Sequence, residues 1–229
     1  MKLSVIIPVY NEKNYILAVL KKVNKQKDKF DIEIIVTDDG SIDGTVDIIK
    51  DNKHLYDKAI FNEKNEGKGS AIKECLNHVT GDYVLIQDAD LEYNPDEYKN
   101  LIAPILDYNA EIVFGSRFKG GQPERVLYFK NRVANFVLSL IVSILTNINF
   151  SDVETGYKLI KTSKLKLLDL KEKSFGIEIE IVMKLAKTNS SFYEVGISYH
   201  GRTYEEGKKI RFSDGIVALY KIFYYKFFN

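Results

Sequence analysis

Residues 84–92 read Val-Leu-Ile-Gln-Asp-Ala-Asp-Leu-Glu, an apolar run that passes straight into three carboxylates. On an extended chain alternate side chains share a side, so Asp88, Asp90 and Glu92 are expected to point the same way. Three carboxylates together at a strand's end repel one another unless a positive charge sits among them. A divalent cation with oxygen ligands, Mg²⁺ or Mn²⁺, is the simplest such charge. A polar turn closing a buried strand would account for the same residues without an ion.

In open parallel sheets ligands bind beyond the carboxyl ends of the strands, and three further motifs fall at such places. The first apolar run ends in Pro8-Val9-Tyr10-Asn11-Glu12 and the second in Asp38-Asp39-Gly40-Ser41. The third is followed by Asn65-Glu66-Gly67-Lys68-Gly69-Ser70. Asp38 or Asp39 can accept hydrogen bonds from a base or a ribose. Gly67-Lys68-Gly69, opening a helical pattern, offers backbone N–H groups and one cation, a favourable setting for phosphate. The segment matches neither G-x-G-x-x-G nor the Walker A pattern, so ordinary dinucleotide binding and P-loop chemistry are not supported.

Periodicity supplies the elements that must hold these groups. Short β-branched runs at about 3–9, 32–37, 57–61, 82–88 and 110–115 alternate with helical patterns at about 12–27, 43–54, 68–79 and 95–108. That alternation predicts an α/β fold, a mostly parallel twisted sheet with helices on both faces. Next come a basic, glycine-containing segment from Arg117 to Arg125, a long helix at about 128–148 and a strand near 156–161. Helices near 164–169 and 176–187, a strand near 192–199, a charged loop at 201–211 and an aromatic-rich helix at 213–228 follow. At 229 residues the chain reads as one elaborated domain, 1–229, regular over 1–115 and less so over 116–229.

Lys and Arg number 33 against 32 Asp and Glu, a formal charge of +1, which argues against a polycationic nucleic-acid binder. The single cysteine, Cys75, excludes an internal disulfide and fits a reducing compartment. His54, His78 and His200 are scattered and give no zinc spacing. The chain opens on a strand pattern without signal-peptide features, and no uninterrupted apolar run reaches the roughly 20 residues that span a bilayer. A soluble or peripheral cytoplasmic protein is expected.

Pro8 to Glu12, Asp38 to Thr45, Asn65 to Ala71 and Asp88-Ala89-Asp90 together resemble the signature of family 2 glycosyltransferases with the GT-A fold. Gly115-Ser116-Arg117-Phe118, Lys130-Asn131-Arg132, Asp152 to Lys158 and the 201–211 loop extend the likeness. They point toward the branch containing dolichyl-phosphate mannose and glucose synthases and their bacterial polyprenyl-phosphate relatives. The resemblance implies a metal-dependent hexosyltransferase whose 1–115 half holds a GDP- or UDP-linked sugar and whose 116–229 half holds the acceptor. Pro8, Tyr10, Glu12, Asp38 and Asp39 would hold the nucleoside, and Lys68 and Ala89 would line the same donor site. Asp88, Asp90 and Glu92 would bind the Mg²⁺ or Mn²⁺ that bridges the diphosphate. Glu92 stands where the mannose synthases compared carry Gln or Ser. Arg117 and Arg132 would receive the acceptor's phosphate, and Arg202 and Lys208 would belong to a loop closing over the donor diphosphate.

The chemistry this implies is coherent. The departing diphosphate must be neutralised, which a metal and nearby cations do. A lipid phosphate is already an anion and needs only cationic positioning; in-line attack inverts the anomeric centre. Arg132, Asn135, Ser139, Ser143 and Thr146 make one narrow polar stripe on an otherwise apolar helix. Such a helix is either buried or lies in a membrane interface with its stripe toward the site. Phe223, Tyr224, Tyr225, Phe227 and Phe228 beside Lys221 and Lys226 repeat that pattern, suiting headgroup depth or core packing. If the acceptor were instead a saccharide hydroxyl, Glu178, Glu180 or Asp152 would be the candidate base. Two apart on a helix, Glu178 and Glu180 cannot both face the site.

Overall fold

A computed structural model describes residues 1–126, 128–203, 205–207 and 212–228. Seven strands form one sheet: β1 (Leu3–Val9), β2 (Ile32–Asp38), β3 (Lys58–Phe61), β4 (Tyr83–Ile86), β5 (Ile112–Ser116), β6 (Lys158–Lys161) and β7 (Phe192–Gly196). Their order is β3-β2-β1-β4-β6-β5-β7, with only β6 antiparallel to its neighbours. Every residue of β1 and β4 is buried, as their near-continuous apolar sequences require of strands covered on both faces.

One core lies on each face of the sheet. Val5, Ile7, Ile34 and Leu85 meet the apolar stripes of α1 (Ile16–Lys25) and α4 (Tyr98–Tyr108). On the other side Ile6, Ile35, Val84 and Phe114 meet α3 (Lys68–Leu76), α5 (Phe129–Thr146) and α7 (Ile177–Leu185). The shorter α2 (Thr45–Asp51) packs on α1, α6 (Thr162–Lys166) on β6, β4 and α7, and α8 (Phe212–Phe227) across α5 and α7.

The topology delivers distant segments to one edge. The chain leaves β1 toward β2 and β3, then returns to β4 on β1's other side, and that reversal opens a crevice at the carboxyl ends. Because β6 runs antiparallel, Lys158 at its start pairs with Ile86 at the end of β4. The 151–157 segment before β6 therefore arrives at the same crevice. So do Arg117 after β5 and Ile197–Arg202 after β7, since Ser116 and Gly196 are in register.

Candidate active site

The alternation expected through Asp88, Asp90 and Glu92 does not occur. Strand β4 stops at Ile86, the chain turns at 89–90 and bends through 91–93, and Leu91 takes the left-handed backbone at φ 60°. Asp88 is drawn to Lys68, and Asp90 and Glu92 to Arg202. Lys68 Nζ lies 2.7 Å from Asp88 Oδ1, and Arg202 Nη2 lies 2.8 Å from Asp90 Oδ2. Glu92 accepts from Arg202 N (2.8 Å) and the Tyr199 hydroxyl (2.9 Å). Among the described residues no three His, Cys, Asp or Glu side chains converge on a metal position.

By donor type the set still fits a hard divalent ion. Glu12, Asp88, Asp90 and Glu92 crowd together against Lys68 and Arg202. Burial and then the charges of Glu92 and Asp88 push the Asp90 carboxyl up to about 7, Arg202 notwithstanding. Negative charge is thus in excess at Asp90, which added positive charge would relieve.

The nucleoside-side residues divide. Pro8 is buried within β1, Ala89 is buried in the core, and Tyr10 is half-buried at the edge. Glu12 is buried and takes both Nη atoms of Arg202, at 3.0 and 3.2 Å. Asp39 spends its carboxylate on Asn62 and on the N–H groups of Glu66 and Gly67 (2.7 Å to the last), tying down the turn before α3. Asp38 accepts from Ser41 N through Oδ1 (2.8 Å), while its Oδ2 is buried without a partner. Of the two aspartates, Asp38 alone has an acceptor to offer a base or ribose.

Lys68 does not stand free for phosphate; it bridges Asp88 and Glu178 at 2.7 Å each, and those two anions outweigh burial to hold its ammonium charged. The flanking glycines serve packing: a Cβ on Gly67, at φ 102°, or on Gly69 would strike the carbonyls of Lys173 and Glu172. Lys208 lies outside the described residues.

On the acceptor side Arg117, half-buried, makes a bidentate pair with buried Asp152, Nε to Oδ2 and Nη2 to Oδ1 at 2.7 Å. Arg132 is 60% exposed in its side chain and meets Glu124 at 3.2 Å. Both guanidinium groups lie over the Phe118 ring, at 5.6 and 5.3 Å, which brings the two arginines together. Glu178 and Glu180 diverge: Glu178 faces Lys68, whereas Glu180 accepts from Lys171 N and Glu172 N and pairs with Lys184. Asp152, committed to Arg117, and Glu180, committed to backbone, are not available as bases.

Sequence reasoning counted Asp152 to Lys158 in the family likeness but gave Glu154, Tyr157 and Lys158 no role, and passed over Tyr93. Burial, and then the Glu178 charge, pushes the Glu154 carboxyl up to about 7, and its Oε1 has no partner. Burial brings the Lys158 ammonium down to about 8; it donates to the Thr155 carbonyl beneath the Phe114 ring. Tyr93 stacks on Tyr157 at 4.7 Å and accepts from Gly156 N. A Cβ on Gly156 would strike Asp88, which shows how closely the 151–157 segment approaches the carboxylate turn. The available signals were the 152–158 segment itself and, for Tyr93, its place immediately after the carboxylate cluster.

Helix α5 amends one expectation. Its 18 residues are long and apolar enough to cross a membrane by length and composition, with only 22% buried. Its polar stripe nevertheless docks on the domain, Ser139 Oγ accepting from Val153 N (3.2 Å) and Ser143 Oγ from Phe150 N (3.0 Å). Phe129, Val133, Phe136, Val137, Leu140 and Ile144 are left exposed. On α8, Ile216, Tyr220, Phe223 and Phe227 are exposed too.

Comparison with known proteins places this geometry. The profile described as Glycosyl transferase family 2 matches residues 4–168. An uncharacterized protein of Methanocaldococcus jannaschii is 31% identical over 222 residues, spanning 90% of this chain and 93% of its own. The dolichol-phosphate mannosyltransferase of Pyrococcus furiosus is 28% identical over 92% of this chain, which spans only 61% of that enzyme's length. Among solved structures, glucosyl-3-phosphoglycerate synthase of Mycobacterium tuberculosis, determined with Mn²⁺, uridine diphosphate and phosphoglyceric acid, superposes with a TM-score of 0.78. It is 18% identical and covers 100% of this chain and 79% of its own. Mannosyl-3-phosphoglycerate synthase of Rubrobacter xylanophilus gives 0.73 at 17% identity, over 98% and 72% of the two chains. A seven-stranded GT-A sheet with its charged crevice at the carboxyl edge is accordingly the fold of an enzyme, and the chain belongs to glycosyltransferase family 2.

Proposed function

We propose that this enzyme transfers a hexose from a nucleoside diphosphate sugar to a polyprenyl phosphate at a membrane surface, with inversion. One observation carries the reading: the two acceptor-side arginines stand at the root of the exposed apolar face. Arg132 lies in the first turn of α5, over the same Phe118 ring as Arg117, and the outer side of α5 from Phe129 to Ile144 is apolar. A ligand with an anionic head and a hydrocarbon tail matches that juxtaposition.

Asp38 Oδ2 accepts an N–H or O–H of the nucleoside. Asp88, Asp90 and Glu92 would hold Mg²⁺ or Mn²⁺, which supplies charge neutralisation for the departing diphosphate. Arg202 and Lys68 add fixed positive charge from the protein side. Arg117, oriented by Asp152, presents its outer N–H groups with Arg132 to the acceptor phosphate. A phosphate oxygen attacks the anomeric carbon as the bond to the nucleoside diphosphate breaks, and the bonding electrons leave on the diphosphate. No proton need be removed from the attacker. Complexes of the M. tuberculosis neighbour with Mn²⁺ or Mg²⁺ and uridine diphosphate support the donor side of this reading; the P. furiosus relative's name supports the acceptor side.

A second reading has its own observation. Glu154 Oε1 and Glu178 Oε2 are buried and unpartnered, the kind of group that deprotonates a hydroxyl acceptor. Incubation with a panel of GDP- and UDP-hexoses, Mg²⁺ or Mn²⁺, and a polyprenyl phosphate decides. A lipid-phosphate sugar product supports the proposal; donor binding with transfer only to a soluble saccharide overturns it in favour of the hydroxyl acceptor. Asp90→Ala is expected to lower turnover by about 100-fold or more, and full turnover in that variant would refute the assigned role.

A further inference from the structure

The inward stripe of α5 has one member with nothing to bond. Ser139 and Ser143 meet Val153 and Phe150, Thr146 Oγ1 donates to Val142 O (2.7 Å), and Arg132 meets Glu124. Asn135 is only 7% exposed, yet neither its Oδ1 nor its Nδ2 has a partner. A buried carboxamide with both ends unpaired opposes folding, and native proteins rarely keep one without a reason.

Its position supplies the reason. Asn135 lies one turn beyond Arg132 and one turn before Ser139 on the inward side of α5. Along the helix it falls between Arg132, whose guanidinium lies with that of Arg117 over the Phe118 ring, and Ser139, which accepts from Val153 N. We propose that Asn135 is a third contact for the acceptor phosphate, its Nδ2 donating to a phosphate oxygen beside the two guanidinium groups. Arg132, drawn inward by the same anion, brings N–H groups toward Oδ1. The inference rests on the lipid-phosphate reading above.

The test uses the whole chain, a nucleotide sugar that supports transfer and a short polyprenyl phosphate. Asn135→Ala raises KM for the lipid phosphate about 10-fold, while KM for the nucleotide sugar stays unchanged and Tm does not fall. Asn135→Asp, nearly isosteric but anionic, raises the lipid-phosphate KM further, and Asn135→Ser, which keeps a donor, recovers part of the loss. A purely structural Asn135 gives the opposite pattern, a lowered Tm in Asn135→Ala with both KM values moving together, and overturns the inference. Equal acceptor KM in wild type, Asn135→Ala and Asn135→Ser also overturns it while leaving the lipid-phosphate reading standing. Transfer by the wild type to a hydroxyl acceptor alone removes that reading, and the phosphate contact with it.

Discussion

At the carboxyl edge of the sheet, Glu12, Asp38, Asp152 and Glu178 are carboxylates buried inside the protein. Across the α5–α8 face, Phe129, Phe136, Ile144, Tyr220, Phe223 and Phe227 are apolar side chains left in solvent. Folding favours neither: buried charge is costly even when paired, and a contiguous exposed apolar face is unusual for a lone soluble domain. The two departures have opposite sign and share one junction, at Phe118, Arg117 and Arg132. On the proposed reading, the charged crevice takes the donor diphosphate with its metal, and the apolar area gathered on the helices takes hydrocarbon. A ligand with a charged head and an apolar tail would meet both.

The comparison breaks most readily at Arg117. Arg117→Met leaves Asp152, 0% exposed, without its bidentate partner. Denaturant unfolding is expected to show a loss of about 3–5 kcal/mol. Lysine at this position would restore only part of it, lacking the planar fork. A loss below about 1 kcal/mol would mean that the crevice does not hold its charge by this pairing.

The apolar face is tested by charge insertion at two exposed sites. Phe136→Glu with Ile144→Glu, at 64% and 70% exposure, should leave Tm nearly unchanged. Co-sedimentation with anionic vesicles should weaken by about 10-fold or more. Undiminished vesicle binding would detach the α5 face from the membrane.

The smallest effect expected is a pH slope from Glu154. Burial and Glu178 raise its folded-state carboxyl to about 7, above the ordinary 4.5, so the folded protein holds this proton more tightly than the unfolded chain. Its favourable contribution is complete below about pH 4.5 and is lost as pH rises through about 7. Glu154→Gln should flatten that part of the stability curve and raise the unfolding free energy above neutral pH, by an amount on the order of 1 kcal/mol. An unchanged slope would place the Glu154 carboxyl in solvent rather than in the crevice.

How far the sequence could be read depended on the range of the interactions. The strand and helix pattern was legible because period-two and helical apolar spacing act over a few residues: β1, β2, β3 and α3 lie close to the expected places. The carboxylate turn was misjudged because β4 ends two residues before Asp88, and periodicity does not report where a strand yields to a turn. The separate fates of Asp38 and Asp39 were invisible for another reason. They depend on whether Asn62 and the 66–67 amides reach one carboxylate or its neighbour. For Lys68 the expected phosphate role gave way to Asp88 and Glu178, 20 and 110 residues away in the chain.

The sequence by itself determined the chemical inventory, the alternation that makes a parallel sheet, and the apolar helices with their narrow polar stripe. These are local properties, set by side-chain type and by spacing along the backbone. Tertiary structure alone decided which charges meet: Arg202 with Glu12 and Asp90, Arg117 with Asp152, Lys68 between Asp88 and Glu178. It also decided that α5 turns Asn135 and Ser139 inward and its apolar side out. Such pairings follow from antiparallel β6 entering between β4 and β5 and from β7 alongside β5, long-range contacts whose register no short stretch of chain encodes.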